Sequence, residues 1–274
     1  GVIAVVLFFG SSSGLAGAYG IAVTVTMATT TLLTFFVVRG RWKLPLPIAI
    51  GATIFFLTVD IFLVAGCALK FLDGGWFSLL VAALLFLIMS TWARGRTVVM
   101  QTIHRDGLEL ETFLPTLRPD DIPRAARVAV YMVADASTVP QALLHNLKHN
   151  QVLHERNLIL TVQFKDVPWV SEAERIHVEE LGNSFWRVTV AFGFMDVPDV
   201  PRALKLCEQY GLSIPHFQTS YFLSRESIVS TSGGGMPRWR ERLFSTMTRN
   251  AGGVVEFFRL PDNAVIELGT RIQI

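Results

Sequence analysis

Apolar residues run almost unbroken through three stretches, 14–38, 46–70 and 76–93, and then give way to a mixed polar pattern that lasts to the end of the chain. Each stretch is about as long as a helix needs to cross a hydrocarbon core of roughly 30 Å, the third being the shortest. Two other readings compete: buried helices of a large soluble core, or a signal peptide followed by core strands. Neither fits well. A signal peptide needs a basic start and a short apolar run, whereas residues 2–9 are already apolar. The missing initiator Met and that immediate apolar run predict the end of an earlier span at 1–10, with further membrane protein upstream. Three transmembrane helices then fall within 11–93, a juxtamembrane helix and linker within 94–126, and a cytoplasmic α/β domain within 127–274.

In the tail the apolar runs shorten. Residues 128–133, 158–164, 175–180 and 187–192 are rich in β-branched and apolar side chains with partial alternation, which predicts strands, with a last one near 264–268. Helical spacing predicts a helix at 139–153 that turns Leu143, Leu144, Leu147 and Val152 inward. A second, at 199–210, opens on Asp199-Val200-Pro201 and is stopped by Gly211. A third, at 237–250, is amphipathic and basic. Residues 230–235 read as a flexible loop and 118–127 as a linker.

Charge sharpens the division. Residues 1–93 hold six formal charges, Arg39, Arg41, Lys43, Asp60, Lys70 and Asp73, while the tail holds 20 of each sign. Arg39, Arg41 and Lys43 follow the first span, and Arg94 and Arg96 follow the third, so both points should face the cytoplasm. The short connection 71–75, with Asp73, suits the outer side and a tight helical hairpin. Trp42, Trp76 and Trp92 sit where aromatic anchors at headgroup depth belong. Cys67 lies in a span and Cys207 in the tail, a placement that predicts no disulfide.

Candidate chemistry is concentrated in the spans. Gly14, Gly17 and Gly20, with alanines beside them, give the first span a thin face for close helix approach. Thr24, Thr26, Thr29, Thr30, Thr31, Thr34 and Tyr19 add hydroxyls that either glue helices together or line a polar pathway. An ionised Asp60 within the second span would cost several kcal/mol unless paired, hydrated or protonated. It is a candidate for proton coupling, for cation contact or for structural pairing.

The tail offers less. His145 and His149 share a helix face with His154 nearby, but no cysteine or carboxylate cluster accompanies them and Lys148 opposes a cation, so no metal site is assigned. Gly10 to Gly14 spell the spacing of a nucleophile elbow around Ser12, yet they join two apolar helices rather than a strand to a helix. There is no P-loop or dinucleotide fingerprint. The basic helix carries Arg238, Arg240, Arg242 and Arg249 with Trp239 and Phe244, suited either to anionic headgroups or to packing on the domain.

Taken in order, the residues resemble one family. The run SSGLAGAYGIAVTVTM at 12–27, Val59-Asp60-Ile61, Asp73-Gly74-Gly75-Trp76-Phe77 and Thr91-Trp92 resemble the closing spans of the KUP/HAK/KT potassium uptake permeases. The tail run PQALLHNLKHN at 140–150, leading into Val152-Leu153-His154-Glu155-Arg156, resembles that family's most distinctive cytoplasmic motif. Phe185-Trp186-Arg187-Val188, Thr219-Ser220-Tyr221-Phe222 and the ending 265–270 follow. The resemblance implies a proton-coupled potassium importer with a LeuT-like, APC-type core, of which these spans are the tenth to twelfth, and a potassium site mostly upstream of Gly1. Its transport or coupling candidates here are Asp60, Tyr19, Thr24 and Thr26. His145, Asn146, Lys148, His149, His154, Glu155 and Arg156 are expected to form an interface or regulatory surface, or else helix-to-strand packing. The implied partners are potassium and a proton, the bilayer, the upstream membrane domain and a second copy in a homodimer, with no cofactor and no nucleic acid. Val25 stands where the family usually has Gly, which puts close packing beyond Thr24 in doubt. A membrane-anchored signalling or adaptor protein is the alternative.

Overall fold

The computed structural model describes residues 9–10, 12–117, 122–229 and 235–273. The expected span end at 1–10 lies almost wholly outside them, as do most of the expected loop at 230–235 and part of the linker. The chain divides into two compact units, one ending at Ser90 and one beginning at Thr91.

Among the described residues, three helices are long and apolar enough to cross a membrane. They are α1 (Ser12–Gly40), α2 (Leu46–Ala68) and α3 (Trp76–Asp106). The loop after α1 is closed by the Arg39 guanidinium, which donates to the Leu44 carbonyl at 3.2 Å. Pro47 sits in the first turn of α2, where a missing N–H leaves no helical bond unmade. The π-helical turn Phe71–Gly75 joins α2 to α3, and Gly74 takes φ 143°, which a Cβ would oppose. In this unit Phe36, Ile54, Phe55 and Phe62 are exposed while Thr24 and Asp60 are buried. Apolar exposure on that scale marks a surface made for lipid or for further protein.

The third span and the juxtamembrane helix, expected as separate pieces, are one continuous helix. Arg94 and Arg96 are good helix formers and the single Gly95 costs only about 1 kcal/mol, so nothing there stops the helix.

The second unit is built on β1 (Arg124–Met132), β2 (Leu153–Lys165), β3 (Ile176–Gly182), β4 (Phe185–Gly193), β5 (Thr219–Val229) and β6 (Val265–Gln273). They form one sheet in the order β3-β4-β2-β1-β5-β6, parallel except for β3, which runs antiparallel to β4 at the edge. The short helices α4 (Leu110–Phe113), α5 (Gln141–His145) and α6 (Val200–Leu204) pack on it, and α7 (Arg238–Arg249) and α8 (Val254–Phe257) follow β5. One face buries Val128, Val130, Leu158, Leu160, Val188 and Val190 with Val200 and Leu204. The other buries Ala129, Tyr131, Ile159 and Phe222 with Leu110 and Leu143. Two covered faces explain the continuous apolar runs of β1 and β2.

Several expectations need correction. The helix at 139–153 is shorter: α5 widens into a π-helical turn over Asn146–Asn150, Gln151 takes a left-handed φ of 52°, and Leu153 already begins β2. Residues 124–127, expected as linker, are the first residues of β1. Arg175 ends a helical turn rather than opening β3. β5 was not foreseen at all, although it joins β1 to β6.

Candidate functional site

In the membrane unit, the thin face of α1 meets the turn that joins α2 to α3. A Cβ on Gly17 would lie 3.5 Å from the Lys70 carbonyl oxygen, and one on Gly20 would lie 3.2 Å from Cys67 Sγ. The Ala18 carbonyl accepts a 2.6 Å hydrogen bond from the Ser78 hydroxyl, tying α1 to α3. Gly14 belongs to α1, but its surroundings lie outside the described residues. Val25 is exposed on the outward side of α1.

The hydroxyls divide sharply. Tyr19 points outward at 71% exposure. Thr24 is buried and donates to the Gly20 carbonyl at 2.9 Å, and exposed Thr26 donates to the Ala22 carbonyl at 2.8 Å. Thr29, Thr30 and Thr34 bond backward in the same way, a local bond that satisfies the hydroxyl without any neighbour. Thr31 differs: its hydroxyl donates across to Asp60 Oδ2 at 2.6 Å, at the short end for an O–H···O bond. Asp60 is only 4% exposed. Thr31 also lines a cleft of about 380 Å³ between α1 and α2, with Thr34, Phe35, Ala49, Thr53 and Phe56. In the sequence Asp60 stands out as a charge inside an apolar span and within the run Val59-Asp60-Ile61. Thr31 was one hydroxyl among several, and only its depth on the neighbouring antiparallel helix could have paired the two.

The tail motif proves to be largely a clasp between α5 and β2. Asn146 is buried; its Nδ2 donates to the Val152 carbonyl at 2.9 Å and the Tyr131 hydroxyl at 3.4 Å, and its Oδ1 accepts from Asn150 at 2.8 Å. Burial pushes the Tyr131 phenol above its ordinary pKa, with the Asn146 bond pulling the other way. His154 is 7% exposed, lies edge-on to Phe222 at 5.6 Å, and its Nδ1 has no hydrogen-bond partner. Burial, and next the Arg127 charge, lower its pKa. Asn157, which the sequence did not flag, brackets His154: Nδ2 donates to its carbonyl at 2.8 Å and Oδ1 accepts its N–H at 3.3 Å. The Arg156 guanidinium donates to the Ser213 carbonyl. The His145 and His149 rings stack at 5.6 Å. Lys148, His149 and Glu155 are exposed and His145 and Arg156 half-buried, so these five of the motif's seven candidates offer a surface.

Asp196, also unflagged, ties two loops at the carboxyl ends of β2 and β4. It accepts from the Gly193 N–H at 2.8 Å, the Val170 N–H at 3.0 Å and Arg175 at 3.1 Å. The Gly193 bond leads the causes that hold its carboxyl below the usual range.

Residues 1–97 match the K+ potassium transporter integral membrane domain, and residues 126–274 match the K+ potassium transporter C-terminal domain. This chain belongs to the K+ potassium transporter family. Its relatives include the "Probable potassium transport system protein Kup 2" of Albidiferax ferrireducens, 58% identical over 100% of this chain and 44% of that protein. The "Probable potassium transport system protein Kup" of Methylibium petroleiphilum is 45% identical over the same shares, and that of Nitrosospira multiformis is 46% identical over 100% of this chain and 43% of its own length. The chain therefore spans less than half the length of these relatives. As a member of this family it is an inner-membrane protein: among the described residues three apolar helices are able to span, and a C-terminal domain built on a mixed sheet follows. The family is one of transporters, a class apart from enzymes.

Proposed function

We propose that this chain is the C-terminal part of a potassium uptake transporter that carries potassium together with a proton across the bacterial plasma membrane. Asp60 carries this reading: a carboxylate buried in an apolar span and bonded to a hydroxyl on the neighbouring span. Such burial is costly in a membrane, and a group that takes up a proton or meets a cation is the kind of function that retains it. A mere anchor gains nothing from it, and the relatives, named as potassium transport proteins, speak against the adaptor alternative. On this proposal the spans close a LeuT-like core whose potassium site lies mainly in an upstream membrane domain. The basic ends at Arg39 to Lys43 and Arg94 to Arg96 face the cytoplasm.

The tail is proposed to serve dimerisation or regulation. Phe164, Trp169, Phe194 and Met195 are exposed at the carboxyl ends of β2 and β4, and Phe257 is exposed at the end of α8. Their loops are joined by the Phe194 N–H to Val167 carbonyl bond at 2.9 Å, and the Phe164 and Phe257 rings lie 6.0 Å apart. A contiguous apolar patch of this kind suits an interface, here with a second copy. His145, Lys148, His149, Glu155 and Arg156 remain the proposed regulatory surface.

The test is potassium uptake by a bacterium lacking its own potassium importers and supplied with the full-length parent. Restored uptake at low potassium is expected; none, at normal membrane abundance, contradicts the proposal.

A further inference from the structure

Helix α7 sorts its side chains into two sets. Phe244 is buried with its ring 5.5 Å from that of Trp92, and packs with Val99. A Cβ on Gly95 would run into the Phe244 ring, so that glycine is what admits α7 against α3. Arg240 Nε donates to the buried Thr91 hydroxyl at 3.0 Å. Glu241, the acidic residue of α7, is 1% exposed. Arg238, Trp239, Arg242 and Arg249 are left on the outside, and no carboxylate of the helix shares that face.

The place where α7 is fastened matters as much as its charge. Its contacts on α3 begin at Thr91 and Trp92, where the apolar run of the span ends, and exposed Arg94 and Arg96 follow at once. An aromatic followed by arginines at the end of a span marks headgroup depth. We propose that α7 is a membrane-interface helix whose Arg238, Trp239, Arg242 and Arg249 face binds the anionic headgroups of the leaflet from which α3 emerges. Guanidinium groups match phosphate oxygens two at a time, and an indole is at home between headgroups and acyl chains. Near an anionic surface each arginine multiplies the local affinity about fivefold.

The test uses the full-length protein with a fluorophore on Thr246→Cys, other reactive cysteines removed. It is reconstituted either in phosphatidylcholine vesicles or in vesicles that also contain phosphatidylglycerol, with the same content of a lipid bearing a nitroxide on its headgroup. Quenching is expected to be roughly twofold stronger in the anionic vesicles and to weaken as salt is raised. The combined variant Arg238→Gln, Arg242→Gln, Arg249→Gln, all at exposed positions, should lose the difference, and the salt response needs no variant. Equal quenching in both vesicles, or a difference that survives the triple variant, overturns the proposal. So does displacement of the helix by inorganic phosphate at matched ionic strength, which would make this a site for free phosphate. Self-quenching between labelled copies in place of lipid quenching would give the face to a second copy and overturn it equally.

Discussion

The α1–α2 pair and the sheet domain obey the same rules in opposite surroundings. In the helix pair Leu33, Phe55 and Phe62 face outward and Asp60 faces inward; in the sheet Leu158, Ile159 and Leu160 are fully buried and the Arg187–Glu179 ion pair lies toward the surface. The contrast shows what a buried polar group means in each. Asn146 and Asn157 in the sheet domain are matched by backbone groups, so they are explained by structure alone. Asp60 meets a side chain of another span, among apolar residues, at a site where burial is expensive.

The largest expected effect lies in the sheet. Phe185→Ala should cost about 3–5 kcal/mol in denaturant unfolding of the C-terminal domain, since the whole ring is buried between β4 and its cover. A loss near zero would mean that this sheet is not the domain's core. In the membrane unit the equivalent weakness is crowding rather than a cavity. Gly75→Val should cost about 1–3 kcal/mol, because even a Cβ there would run into Ile21, and Ile21→Ala in the same protein should restore part of it. Failure of that rescue in thermal melts of the detergent-solubilised protein would separate the two positions. Thr31→Val removes the Asp60 partner and should lower stability by about 1–3 kcal/mol, with Thr26→Val, whose hydroxyl bonds only to its own helix, costing less.

The smallest effects are those of pH, and both belong to the sheet domain. His154 has a lowered pKa in the fold, so its contribution to stability is complete above the ordinary histidine value of about 6.5 and is lost as pH falls through its lower folded value. His154→Leu should flatten that part of the unfolding profile. Asp196 also has a lowered pKa, and its contribution is present above about 3.8 and disappears as pH falls toward its folded value. Asp196→Asn should flatten the acid limb only. A variant that shifts the other window would contradict the assignment.

The spans were legible because crossing hydrocarbon demands a long run with almost no charge, and α1 to α3 meet that demand openly. β2 was legible because two covered faces require a near-continuous apolar run, and β4 because its β-branched and apolar residues alternate in part with Arg187 and Thr189. β5 was not: Ser224, Arg225, Glu226 and Ser227 interrupt its apolar start where it has run past β1 and pairs with β6 alone. The end of α5 was missed because Gln151, a residue with no obvious turn preference, takes the left-handed conformation. In the tail motif sequence marked seven residues alike, whereas the fold buries Asn146 and His154 and leaves Lys148, His149 and Glu155 outside. Within the spans, Thr31 could not be told from its neighbours, because the bond that distinguishes it joins residues 29 apart.

Uptake of potassium by the full-length parent, measured across pH with Asp60→Asn and Asp60→Glu at matched membrane abundance, tests the central claim most directly. With Asp60 as a coupling group, Asp60→Asn lowers uptake by about tenfold or more and removes its dependence on external pH, while Asp60→Glu keeps part of both. Unchanged uptake with unchanged pH dependence in Asp60→Asn would contradict that claim and leave Asp60 as no more than the partner of Thr31.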